Sequence, residues 1–110
     1  MAEEVIILEC RKIWATDVEI RNDVDKFLKF YDALEDAFDD LDMAFKAFDE
    51  GRFETNKFIK EFYDEALRYL DEMKKLAEKI KNKRLIEVVK TKKRVFGEYK
   101  IYMEHKGYLK

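Results

Sequence analysis

The stretch TDVEIRNDVDKFLKFYDALEDAFDDLDMAFKAFDEG, Thr16 to Gly51, decides how the chain is built. Ile20, Val24, Phe27, Tyr31, Leu34, Phe38, Leu41, Phe45 and Phe48 follow one another at alternating spacings of four and three residues. That rhythm keeps nine large apolar side chains on one stripe of a single long helix. Thr16 and Glu19 have the spacing of a capping box at its start, and Gly51 is suited to a left-handed stop at its end. A helix of this length spans on the order of 50 Å. So long an apolar stripe is not stable in water alone, and partner helices must cover it.

Upstream, Ile6, Ile7, Cys10, Ile13 and Trp14 fall on one helical face, although Val5-Ile6-Ile7-Leu8 also has the look of a strand. Helix is the preferred reading, with a break near Ala15-Thr16 or near Asn22-Asp23. Downstream, Thr55 can cap a third helix reaching about Lys81, with apolar positions from Phe58 and Ile59 through Ala66, Leu70 and Met73 to Ile80. Continuing that phase would turn Glu87 and Arg94 inward, so a break is expected around Lys81-Asn82-Lys83. A fourth helix then buries Leu85, Val88, Val89, Val95, Phe96, Tyr99, Tyr102 and Met103. Gly107 is its expected stop, with His105 and Lys106 placed where positive charge suits a helix C-terminus. The fold class expected is all-α, an antiparallel bundle of three to four helices with a long second helix, forming one domain over residues 1–110.

Ala44-Phe45 through Gly51-Arg52-Phe53-Glu54 to Ala66-Leu67 resembles the turn and second helix of a tetratricopeptide repeat. Asn56 stands where that motif has a small residue, its terminal proline is missing, and no second copy follows at the 34-residue period. The segment is therefore read as a generic helical hairpin.

The composition agrees with helices. There is no proline, and three glycines punctuate 110 residues of which 44% are charged and 47% hydrophobic. The lysine and glutamate content with few amides points to a thermophile. Uncharged runs such as Val5 to Leu8 are far short of the roughly 20 residues needed to cross a membrane. The acidic start Met1-Ala2-Glu3-Glu4 is unlike a basic secretory leader. Cys10 is the sole cysteine, which suits a reducing compartment, so a cytoplasmic location is expected.

The net charge of −2 conceals a split. Residues 1–55 hold 16 acids and 7 bases, a net of −9, and residues 56–110 hold 9 acids and 16 bases, a net of +7. Asp32, Glu35, Asp36, Asp39, Asp40 and Asp42 run without an intervening base, whereas Lys74 to Arg94 carries ten bases against Glu78 and Glu87. One reading pairs the acidic second helix with the basic fourth, within the chain or between subunits, from Glu35, Asp42 and Asp49 beside the seam. Another makes Lys81, Lys83, Arg84, Lys90, Lys92, Lys93 and Arg94 a polyanion-binding face, with Phe96 and Tyr99 able to stack on bases where exposed, and a third leaves the charge as a solvated surface without a specific role. Lys92 stands out because it occupies a seam position. Its amine either snorkels to water or pairs with a carboxylate of the acidic helix.

Catalytic equipment is thin. A serine nucleophile is impossible because the chain has no serine, and Cys10 and His105 lie at opposite ends of the sequence. Asp32/Asp36 and Glu35/Asp39 are four residues apart, a spacing a hard cation can use, but the Glu-x-x-His pair of a bundle di-metal centre is missing. No phosphate loop, zinc spacing or EF-hand appears. No enzyme activity, metal or cofactor is expected. The function expected is a non-enzymatic interaction module, a structural or adaptor subunit that self-associates or takes a protein partner. Phe30, Phe53, Phe58, Tyr63 and Tyr108, off or beside the seams, are the candidate contact residues. The alternative is a small helical nucleic-acid-binding subunit, similar in general terms to the small all-helical subunits of archaeal and bacterial CRISPR effector complexes. No motif in the chain specifies that family.

Overall fold

The long apolar stripe forms the spine of the molecule. In the computed structural model, which describes residues 2–52 and 56–107 (side chains from Val5 onward), helix α2 runs Arg21–Asp49. Val24, Phe27, Tyr31, Leu34, Phe38, Leu41 and Phe45 of the stripe are buried, and Ile20 and Phe48 at its ends are half-buried. Around it lie α1, Ala2–Thr16, α3, Asn56–Ile80, and α4, Lys83–Lys106. All four helices meet in one apolar cluster, to which α1 contributes Ile6 and Cys10, α3 Ile59 to Ile80, and α4 Leu85, Val89, Phe96 and Met103. Truncating Phe27 or Leu34, both fully buried, to alanine is expected to cost about 2–5 kcal/mol because the rigid helices cannot close the void.

Neighbouring helices are antiparallel. Asp23 near the start of α2 meets Lys79 near the end of α3 at 3.3 Å, and Tyr63 of α3 stacks on Phe96 of α4. α2 and α4 consequently run the same way. α1 packs against α2 and α4 at one end only, where Glu9 accepts a hydrogen bond from Asn82 and pairs with Arg84. With 15 residues against 29, it covers about half of α2. The molecule is rod-like, 51 × 22 × 17 Å, with a radius of gyration of 15.7 Å. A compact chain of this length would have about 13 Å.

The breaks follow local chemistry. Gly51 takes φ 102° past the end of α2, and Gly107 closes α4 at φ 75°, both in the region where a Cβ is disfavoured. Between α3 and α4, Lys81 adopts φ 60° and the Asn82 side chain accepts from the Leu85 amide at 3.1 Å, so the break falls where the phase of the apolar positions demands it. The start of α2 differs from expectation. Thr16 belongs to α1 and donates its hydroxyl back to the Lys12 carbonyl at 2.9 Å, so no capping box forms with Glu19. Asp17 instead caps a 3-10 turn, Val18–Ile20, and α2 begins at Arg21 without a side-chain cap. α1 must reverse direction to lie on α2, and this turn supplies the corner. The Thr55 cap lies outside the described residues.

Candidate functional site

The fourth helix separates two grooves of opposite charge. On its α2 side, Lys92 points inward and pairs with Glu35 while its amine lies 5.4 Å from the centre of the Tyr31 ring. The pairing with the acidic helix, the second of the two expectations for this lysine, is what the fold contains. One heptad on, the Tyr99 hydroxyl donates to both carboxylate oxygens of Asp42, at 3.0 and 3.1 Å. Burial, then the hydrogen bond to Asp42, then the charges of Asp42, Asp39 and Glu35 push the Tyr99 phenol well above its usual range, so it remains a donor throughout ordinary conditions. Its ring stacks on Phe38 at 5.0 Å and 3°, which ties the polar contact to the core. Glu35 and Asp42 thus face Lys92 and Tyr99 in one shared register, and the following heptad positions are Asp49 and Lys106.

α1 packs at one end of this face, with Val5 beside Val88 and Glu9 beside Asn82 and Arg84, on the near side of the Glu35–Lys92 pair. Beyond it the groove is open, a cavity of about 590 Å³ with Phe45, Tyr99 and Tyr102 as its aromatic wall and Asp42, Asp49, Glu50 and Glu98 around it, against Lys46. Phe45 and Tyr102 touch at 5.3 Å between ring centres. Tyr102, expected to be buried, is 40% exposed, and among the described residues no further helix lies over this part of the face.

On the α3 side of α4, two adjoining cavities of about 240 and 330 Å³ share Lys74, Val89 and Lys93. Lys90 and Lys100 extend the basic border, while Leu67 and Phe96 contribute apolar surface. This groove gathers only part of the expected polyanion face. Lys90 and Lys93 border it. Lys83 and Arg94 are exposed along the outer side of α4, Lys81 sits in the interhelical turn, Arg84 turns to Glu9 at 3.6 Å, and Lys92 faces the other way. Lys74 and Lys100 were outside the expected set. Lys100 lies seven residues after Lys93, a spacing that already places both on one helical face.

The five candidate contact residues also divide. Phe30 is half-buried with its ring 6.1 Å from Tyr69, and Tyr63 is stacked 4.7 Å from Phe96, so both contribute to packing inside the chain. Phe58 is 40% exposed and lines a shallow hollow with Met43, itself 70% exposed. Phe53 and Tyr108 lie outside the described residues.

Elsewhere the chemistry is quiet. Cys10 is completely buried, and burial together with the neighbouring Glu9 charge raises its thiol from 9.0 to about 11, which leaves almost no thiolate at neutral pH. His105 is exposed near the opposite end of α4, on the order of 30 Å away along the axis. Among the described residues no group of three or more metal-ligating side chains converges, and no helix is long and apolar enough to cross a membrane. Comparison with protein-family models, with curated proteins and with solved structures finds no match to this chain.

Proposed function

We propose that the protein is a non-enzymatic helical interaction module, a structural or adaptor subunit of a larger assembly that self-associates in the cytoplasm. The observation that carries this reading is the open groove on the α2–α4 face. Tyr102 stands 40% exposed beside the half-buried Tyr99 and the buried Phe45, at the position where a further helix would complete the bundle. Such a surface gains by being covered, and ring contacts of this kind are what interfaces use as anchors.

A second reading, phosphate binding to RNA or DNA, draws on the lysine border of the α3–α4 groove. It has less behind it. Arg84 and Lys92 are engaged within the chain, and Phe96 and Tyr99 are stacked on Tyr63 and Phe38 and so are not free to receive bases. The deciding experiment titrates fluorescent single-stranded RNA and duplex DNA at about 50 and 200 mM salt, with mass measured by light scattering in the same buffers. The interaction-module reading expects oligomers and no appreciable nucleic-acid binding. Binding that falls steeply with salt and is abolished by Lys90→Glu with Lys93→Glu would replace it with the second.

A further inference from the structure

The α2–α4 face is stepped. α1 stands at one end of it, with Val5 beside Val88 and Glu9 beside Asn82 and Arg84, and beyond the Glu35–Lys92 pair lies the aromatic wall of the open groove. The raised and recessed parts have the same length. α1, with 15 residues, is about 22 Å long, and α2 from Glu35 to Asp49 adds about 21 Å.

They also match in chemistry. Val5, Leu8 and Lys12 recur along α1 at spacings of three and four, and Arg11 lies beside them, all exposed. Leu8 is 62% exposed, and neither Arg11 nor Lys12 has an ion-pair partner among the described residues. This apolar and basic strip complements a recess that combines Tyr99 and Tyr102 with Glu50 and Glu98. Setting recess against recess would instead oppose like charges.

We propose that two copies of this chain form a two-fold dimer in which each lays the outer face of its α1 in the open half of the other's α2–α4 groove. The axis passes close to Glu35 and Lys92, perpendicular to the rods. The contact is self-complementary, so it closes at two copies and does not propagate. The inference rests on the self-association reading and names its surface. Two footprints of about 22 by 10 Å, counted on both partners, bury on the order of 1,000 Å², the range of weak interfaces. A concentration-dependent and salt-sensitive dimer is therefore the expected species.

Sedimentation equilibrium of the full chain from about 10 μM to 1 mM, at about 50 and 500 mM salt, tests it. The wild type is expected to pass from monomer to dimer, with association weakened about tenfold or more at the higher salt. Arg11→Glu with Lys12→Glu, and separately Glu50→Lys with Glu98→Lys, should each remain monomeric with unchanged helical circular dichroism, because all four side chains are exposed. An equimolar mixture of the two variants should dimerise, since every reversed strip then meets a reversed recess. Leu8→Glu, at a position already open to water in the monomer, should also abolish the dimer. A dimer unaffected by these changes, or variants whose mixture fails to recover, overturns this surface while self-association stands. A wild type that is monomeric at every concentration overturns both.

Discussion

Lys92 shows how one side chain joins packing to charge. Its side chain is 22% exposed and that of Glu35 36%, so the pair lies between a free surface contact, where about 0–1 kcal/mol is typical, and a fully buried one, where removing one partner costs about 3–5 kcal/mol. Lys92→Met is expected to lower stability by about 1–2 kcal/mol, because the stem's packing is kept while Glu35 loses its counter-charge. Adding Glu35→Leu should restore most of that loss. A double-mutant cycle in urea checks this, and an additive outcome would show that the pair is not coupled. Cys10 acts in a different pH range. With its thiol raised from 9.0 to about 11 in the folded chain, the unfolded state loses this proton first as pH climbs. Its contribution is intact below pH 9 and is lost between pH 9 and about 11, so stability falls with rising pH. Relative to Cys10→Ala, the wild type should show an added slope approaching about 1.4 kcal/mol per pH unit in that window. Parallel stability curves for the two proteins would refute the assignment.

At the scale of elements, the turn from α3 to α4 contains two residues with opposite effects. Lys81 holds a left-handed conformation that costs a side-chain-bearing residue about 1–2 kcal/mol, so Lys81→Gly should leave stability unchanged or raise it by up to about 1 kcal/mol. Asn82→Ala should lower stability by about 1–2 kcal/mol, through loss of the Leu85 cap and of the hydrogen bond to Glu9. Thermal unfolding of both variants gives the two signs directly. This turn was legible in the sequence because the apolar positions of α3 and α4 differ in phase, and phase is counted over many residues. The start of α2 was not, because Thr16, Asp17 and Asn22 each offer a cap and only the docking of α1 selects among them. That corner is fixed by Arg21, whose Nε donates to the Trp14 carbonyl at 2.7 Å while its guanidinium covers the indole at 4.1 Å, a contact with no local signature. The groove residues were legible to a similar degree. Glu35 and Asp42 were marked by their seven-residue spacing beside the seam, whereas the bases of α4 gave no sign of how they divide between two sides and a solvent face. That division depends on where the neighbouring helices stand.

For the whole molecule, the uneven cover of the spine implies uneven stability. α2 and α3 share the most extensive contact, and α4 closes over both, but α1 touches only one end of the rod and, among its described side chains, buries just Ile6 and Cys10. Opening α1 alone therefore sacrifices much less apolar contact than opening any other helix. It should occur as a separate event below the free energy of global unfolding. Native-state hydrogen exchange should rank the amides of α1 as the least protected of the four helices, and those around Phe27 to Leu41 of α2 as the most. Trp14, the single tryptophan, lies on α1 beside Arg21 and provides an independent probe. Its emission should change at lower urea than the helical circular dichroism of the chain, a separation that a two-state molecule would not show. Concentration supplies the last discriminating variable. If the outer face of α1 is held in the groove of a second copy, α1 protection must rise with protein concentration while the interior of α2 is unchanged, by mass action on the species in which α1 is covered on both sides. Uniform protection across the helices, or α1 protection independent of concentration, would mean respectively that the first helix is integral to the core and that its outer face meets only water.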